Sequence, residues 1–129
     1  MNKKLMVVDD DPFVLITLRS LFEPEGYEVY CVNSGQECLD ELSRGFQGVV
    51  LMDIMMPHMD GWQTIREIVK RGYAPGNVIS MLTARGDYDP IAEDIRPYVK
   101  DYLLKPFDLK PLVNKVSKYF ETLKINNPV

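Results

Sequence analysis

Short apolar runs recur along the chain, and the segments between them place apolar residues at helical spacing. The runs are Leu5–Val8, Tyr27–Val32, Val49–Met52, Val78–Leu82 and Tyr102–Leu104. Leu5–Val8 is unbroken, the pattern of a strand covered on both faces. Tyr27–Val32 is rich in the β-branched and aromatic residues that strands favour. After the first run, Asp11-Pro12 predicts an N-cap followed by proline in the first helical position. Phe13, Ile16, Leu18, Leu21 and Phe22 then supply the apolar face of a helix that Pro24 and Gly26 stop. Ser34-Gly35-Gln36-Glu37 reads as a capping box. It opens a second helix with Cys38, Leu39 and Leu42 inward, ended by Gly45. Trp62–Arg71 is a third helix, with Ile65, Ile68 and Val69 inward. Residues 85–97 hold Gly86, Pro90 and Pro97 and carry only a weak helical pattern through Ile91, Ala92 and Ile95. Asp108 caps a last helix with an apolar stripe of Leu109, Leu112, Val113, Val116, Phe120 and Leu123.

This (βα)5 alternation predicts an α/β fold. It is a doubly wound, flavodoxin-like, five-stranded parallel sheet with helices on both faces and right-handed crossovers. A chain of 129 residues suits one domain, here residues 1–124, with 125–129 as a tail or the start of a linker. A formal net charge of −4, with Lys and Arg scattered, argues against direct nucleic-acid binding. No apolar stretch approaches the roughly 20 residues a membrane helix needs, and Asn2-Lys3-Lys4 leads into a strand rather than a signal sequence. The expectation is a cytoplasmic protein without membrane insertion. Cys31 and Cys38 fit neither a redox nor a zinc spacing and read as free thiols, buried in a reducing compartment.

Chemistry gathers at the strand ends. Asp9 and Asp10 follow the first run, Asp53 the third, Thr83 the fourth and Lys105 the fifth. Open parallel sheets build their sites outside the carboxyl ends of the strands, so these five residues share one crevice. Clustered carboxylates repel and are relieved by a cation, and Mg2+ takes hard oxygen ligands. A carboxylate is also a competent nucleophile toward phosphorus, and Asp53 is the candidate acceptor. Lys105 and Thr83 would offset charge on the transferring group. A cis Lys105-Pro106 bond would turn the lysine back into the site. Helix capping accounts for Asp11 but not for Asp53. His58 reads as a solvated loop residue, and Trp62 as packing near the site. Neither phosphate-loop nucleotide motif is present.

The text Val7-Val8-Asp9-Asp10, Leu51-Met52-Asp53, Met56-Pro57 with Asp60-Gly61, Leu82-Thr83-Ala84 and Tyr102-Leu103-Leu104-Lys105-Pro106-Phe107 resembles the receiver domain of two-component response regulators. The resemblance runs from about Lys4 to Leu123. It implies that Asp53 takes a phosphoryl group from the phosphohistidine of a histidine kinase or phosphotransfer protein. It also implies that Asp10, Asp53 and the backbone carbonyl of Met55 ligate Mg2+, with Asp9 acting through water. Thr83 and Tyr102 match the family's switch pair. The implied output is an effector protein, an output domain outside this sequence, or a phosphorylation-dependent homodimer. Met55 and Arg85 flank the water path to the phosphoryl group. Where the family often has a small Gly-Ala pair before the fifth strand, this chain has Val99-Lys100-Asp101. The alternative is a phosphorylation-independent interaction module of the same fold. A turnover phosphatase of the haloacid-dehalogenase type is disfavoured, because Met55 stands where its second acid is needed.

Overall fold

A computed structural model describes residues 3–84 and 93–126. Five strands form one parallel sheet: β1 (Lys3–Val8), β2 (Tyr27–Val32), β3 (Val49–Asp53), β4 (Val78–Thr83) and β5 (Val99–Leu104), in the order β2-β1-β3-β4-β5. Four α-helices lie among the described residues: α1 (Pro12–Phe22), α2 (Gly35–Ser43), α3 (Gly61–Lys70) and α4 (Leu109–Asn126). Alternate side chains of each strand serve opposite faces. Met6, Val8, Val50, Met52, Ile79 and Met81 pack with α2 and α3. Leu5, Val7, Val49, Leu51, Val78 and Leu82 pack with α1 and α4. The fold is the predicted doubly wound α/β arrangement, with a core on each side of the sheet.

Local signals explain most element starts. The Asp11 side chain accepts from the Phe13 N–H at 2.9 Å, ahead of Pro12. Ser34 Oγ accepts from the Glu37 N–H, but Glu37 reaches back to the Asn33 N–H at 2.7 Å rather than to that of Ser34. The reciprocal bond of the predicted box is therefore displaced by one residue. A complete box forms at α3 instead, where Asp60 and Gln63 each bind the other's backbone N–H. The last strand begins three residues earlier than its apolar run. β5 is an edge strand whose first half is polar, and its register shifts between Ile79 and Ser80.

Two apolar stripes are narrower than predicted. Phe13 is 78% and Ile16 63% exposed, while Leu18 and Phe22 form the buried face of α1 with Val14, Leu15 and Leu21 partly covered. A helix with apolar residues most of the way round can bury only one side. Leu109, at the start of α4, is also exposed. Of the weak pattern before β5, Gly86, Pro90, Ile91 and Ala92 lie outside the described residues, as does Arg85. Ile95 is buried and Arg96–Tyr98 forms a single 3-10 turn. Helix α4 runs to Asn126, and residues 127–129 lie outside the described part. Cys31 and Cys38 are free, and burial pushes the Cys38 thiol up to about 12.

Candidate functional site

The carboxyl ends of β1, β3, β4 and β5 converge on one pocket. β1 delivers Asp9 and Asp10 directly beyond Val8, while Asp53 and Thr83 are the last residues of β3 and β4. Backbone hydrogen bonds tie these ends together: Asp9 N–H to Val32, Ile54 N–H to Leu82, and Lys105 N–H to Thr83 at 2.7 Å. The Lys105-Pro106 bond is cis. Lys105 Nζ lies 2.7 Å from Asp9 Oδ2 and 3.3 Å from Asp53 Oδ1, so one ammonium bridges two strands. The other oxygen of Asp9 accepts from the Asp11 N–H at 2.9 Å. Asp9 is fully buried, Asp53 and Thr83 are buried, and Asp10 is exposed at the rim.

Oxygens of Asp9, Asp10 and Asp53 lie within 4.8 Å of one another. Three carboxylates, two of them buried, against one ammonium leave an excess of negative charge in the pocket. The consequence is written on Asp53. Burial first, and the charge of Asp9 second, raise its pKa from 3.8 to about 6, against the opposing pull of Lys105 and the Met55 N–H. Burial alone would depress Lys105, but its hydrogen bond to Asp9 and the charges of Asp9 and Asp53 win, and its pKa is raised. Hard oxygen donors with unbalanced charge fit a divalent cation.

Residues 5–117 match the family model of the response regulator receiver domain. The chain belongs to that family. This receiver is 34% identical over 109 residues to the regulatory protein AtoC of Escherichia coli, covering 84% of this chain and 23% of AtoC. It is 36% identical over 113 residues to the transcriptional regulatory protein CpxR homolog of Haemophilus influenzae, covering 88% of this chain and 48% of that protein. The chain thus spans less than half the length of these relatives. A CheY-like response regulator receiver domain protein from Methanospirillum hungatei superposes with a TM-score of 0.91 at 40% identity, over 95% of this chain and 98% of that one. The receiver is a phosphoacceptor domain of a two-component response regulator, a signalling module that binds a divalent metal at its acidic pocket. No helix among the described residues is long and apolar enough to cross a membrane.

The remaining residues singled out in the sequence sit around this pocket. Tyr102 is 38% exposed, and its ring centroid lies 6.1 Å from that of buried Trp62. His58 is exposed in the loop after β3, with a φ of 70°. The Met55 side chain is 68% exposed, and its N–H faces the Asp53 carboxylate. One residue is structurally more involved than its sequence suggested. A Cβ on Gly61 would lie 2.5 Å from the Asp53 carbonyl oxygen and 2.9 Å from Ile54 Cα, and the Gly61 N–H donates to the Ile54 carbonyl. Its absent side chain lets α3 start against the end of β3. The Asp60-Gly61 pair was the available signal.

Proposed function

We propose that Asp53 is the phosphoryl acceptor, that Mg2+ is the resident cation, and that the donor is the phosphohistidine of a histidine kinase or phosphotransfer protein. The observation that carries this reading is the Lys105 ammonium shared between Asp9 and Asp53, with Asp10 alongside. An Asp53 oxygen attacks phosphorus, the P–N bond to the donor imidazole breaks, and the nitrogen leaves with its electron pair and is protonated. Lys105 holds the acceptor in place and meets the charge that develops on the equatorial oxygens. The Thr83 hydroxyl donates to one of these oxygens. Asp10, Asp53 and the Met55 carbonyl are the cation's protein ligands, with Asp9 acting through water. Bound there, Mg2+ supplies the remaining positive charge that lets three carboxylates and a phosphoryl group share one pocket.

Output follows from a two-state element biased by the new charge. Thr83 is drawn toward the phosphoryl group and the Tyr102 ring turns inward behind it. The exposed Phe13 and Ile16, just beyond Asp10 and Asp11, offer an apolar landing surface for the donor protein. The partner that reads the switch is an effector protein, an attached output domain, or a second phosphorylated copy. The chain itself does not turn over substrate; it assists its own phosphorylation and dephosphorylation. It works in the cytoplasm.

Intact mass after incubation with acetyl phosphate and Mg2+ tests the acceptor. One added phosphoryl group is expected, absent in Asp53→Asn and absent without Mg2+. A folded wild-type protein that gains nothing, or an Asp53→Asn variant that gains the same mass, would overturn the assignment.

A further inference from the structure

The carboxylate of Asp101 joins β5 to α4 at one point. Its Oδ1 accepts from the Tyr102 backbone N–H at 2.9 Å. Its Oδ2 accepts from the Tyr119 hydroxyl of α4, also at 2.9 Å. Lys115 Nζ stands 3.9 Å away and half exposed, a distance and setting that contribute little. We infer that Asp101 and Tyr119 couple the Tyr102 segment of β5 to the last helix, so that phosphorylation of Asp53, two strands away and level with Leu103, reaches α4 through one hydrogen bond.

Three features make this link more than a capped strand edge. Val99 pairs with Ile79 and Asp101 with Ser80, so Lys100 is an extra residue at the register shift. The irregularity falls immediately before Asp101, in the stretch where the sequence departs from the family's small pair. Second, Tyr119 is buried, 4% exposed, in the core beneath α4. Burial, with the Asp101 charge adding to it, pushes its hydroxyl up to about 12, so it remains a donor. A buried hydroxyl deprived of its acceptor is destabilising, so a shift of Asp101 obliges α4 to follow or to lose the bond. Third, the proton of the Tyr119 hydroxyl is given to β5, the strand that carries Tyr102, while Ser80 of β4 stands against the same hydroxyl and makes no other hydrogen bond among the described residues.

The inference rests on Asp53 phosphorylation and on the Tyr102 switch. Its test is hydrogen exchange of the full chain with and without acetyl phosphate and Mg2+, with intact mass recorded on the same samples. In wild type, loading changes exchange in peptides covering β5 (residues 99–104) and α4 (109–126). Tyr119→Phe keeps the ring and removes only the hydroxyl. It is expected to load as well as wild type and keep the β5 response, but to lose at least half of the α4 response. Asp101→Ala, checked by thermal melting for folding, is expected to do the same. An α4 response in Tyr119→Phe equal to that of wild type would overturn the coupling, as would a loaded wild type whose α4 does not respond. A folded wild type that never gains mass would remove the acceptor reading first and the coupling with it, and the mass record separates the two failures.

Discussion

Between the ordinary carboxylate pKa of 3.8 and the value of about 6 that burial and Asp9 impose on Asp53, the folded chain binds more protons than the unfolded one. Stability of the metal-free protein therefore falls as pH rises through that interval, and at pH 7 the ionised Asp53 is a net cost. At 1.36 kcal/mol per pKa unit the cost is about 1–3 kcal/mol. Asp53→Asn is then expected to stabilise the metal-free protein by about that amount at pH 7, with the gain shrinking toward zero near pH 4. Urea unfolding at several pH values in EDTA measures it, and a variant less stable than wild type at pH 7 would contradict the argument. Lys105 has the opposite standing. Asp9 is fully buried, and Lys105 is its only cationic partner among the described residues. Removing one partner of a buried pair leaves an uncompensated charge, and Lys105→Met is expected to cost about 3 kcal/mol in the same assay at pH 7.

Helix α1 and the start of α3 show how one element can serve stability on one side and chemistry on the other. Phe13 and Ile16 contribute little to the core, so Phe13→Ser with Ile16→Ser is expected to change stability by no more than about 0.5 kcal/mol per site. Loading from acetyl phosphate should be unaffected, while transfer from a phosphorylated donor protein should slow at least tenfold. Equal slowing with both donors would point to a damaged pocket rather than a lost landing surface. At α3 the constraint is backbone proximity. Gly61→Ala pushes a methyl group against the Asp53 carbonyl oxygen and Ile54 Cα, and overpacking of this kind costs about 1–3 kcal/mol. Because the displaced atoms belong to Asp53, the proposed acceptor, and its neighbour, the rate of mass gain from acetyl phosphate should fall along with stability. Neither effect was legible in the sequence: a helical period cannot say which part of an apolar circumference meets the sheet, and a helix-start glycine looks the same wherever its Cβ would point.

At the scale of the molecule, the parallel sheet was readable because its central strands are buried on both faces and appear as near-continuous apolar runs. Edge strand β5 was readable only in its second half, since Lys100 and Asp101 break the run. Asp9, Asp10, Asp53, Thr83 and Lys105 were identifiable because strand ends on one side of a parallel sheet must converge. The Lys105 bridge itself was not, as it joins residues 96 and 52 positions apart through folding alone. The same fact gives the metal its effect on stability. β1 and β3 bring Asp9, Asp10 and Asp53 together only in the folded chain, so a divalent cation such as the proposed Mg2+ would bind the native state and not the unfolded one. Linkage then adds RT ln(1 + [Mg2+]/Kd), about 2.7 kcal/mol at a hundredfold excess over Kd. The urea midpoint should rise with the logarithm of Mg2+ concentration, return on adding EDTA, and ignore NaCl of equal ionic strength. Asp10 lies at the rim and makes no ion pair among the described residues, so on the proposed reading Asp10→Asn removes a ligand with little structural damage and should lose most of the gain. Half-buried Asp40, on α2 away from the strand ends, is the control: Asp40→Asn should keep the full gain. A midpoint that does not respond to Mg2+, or a response shared equally by Asp10→Asn, would mean that the acidic cluster does not hold the cation.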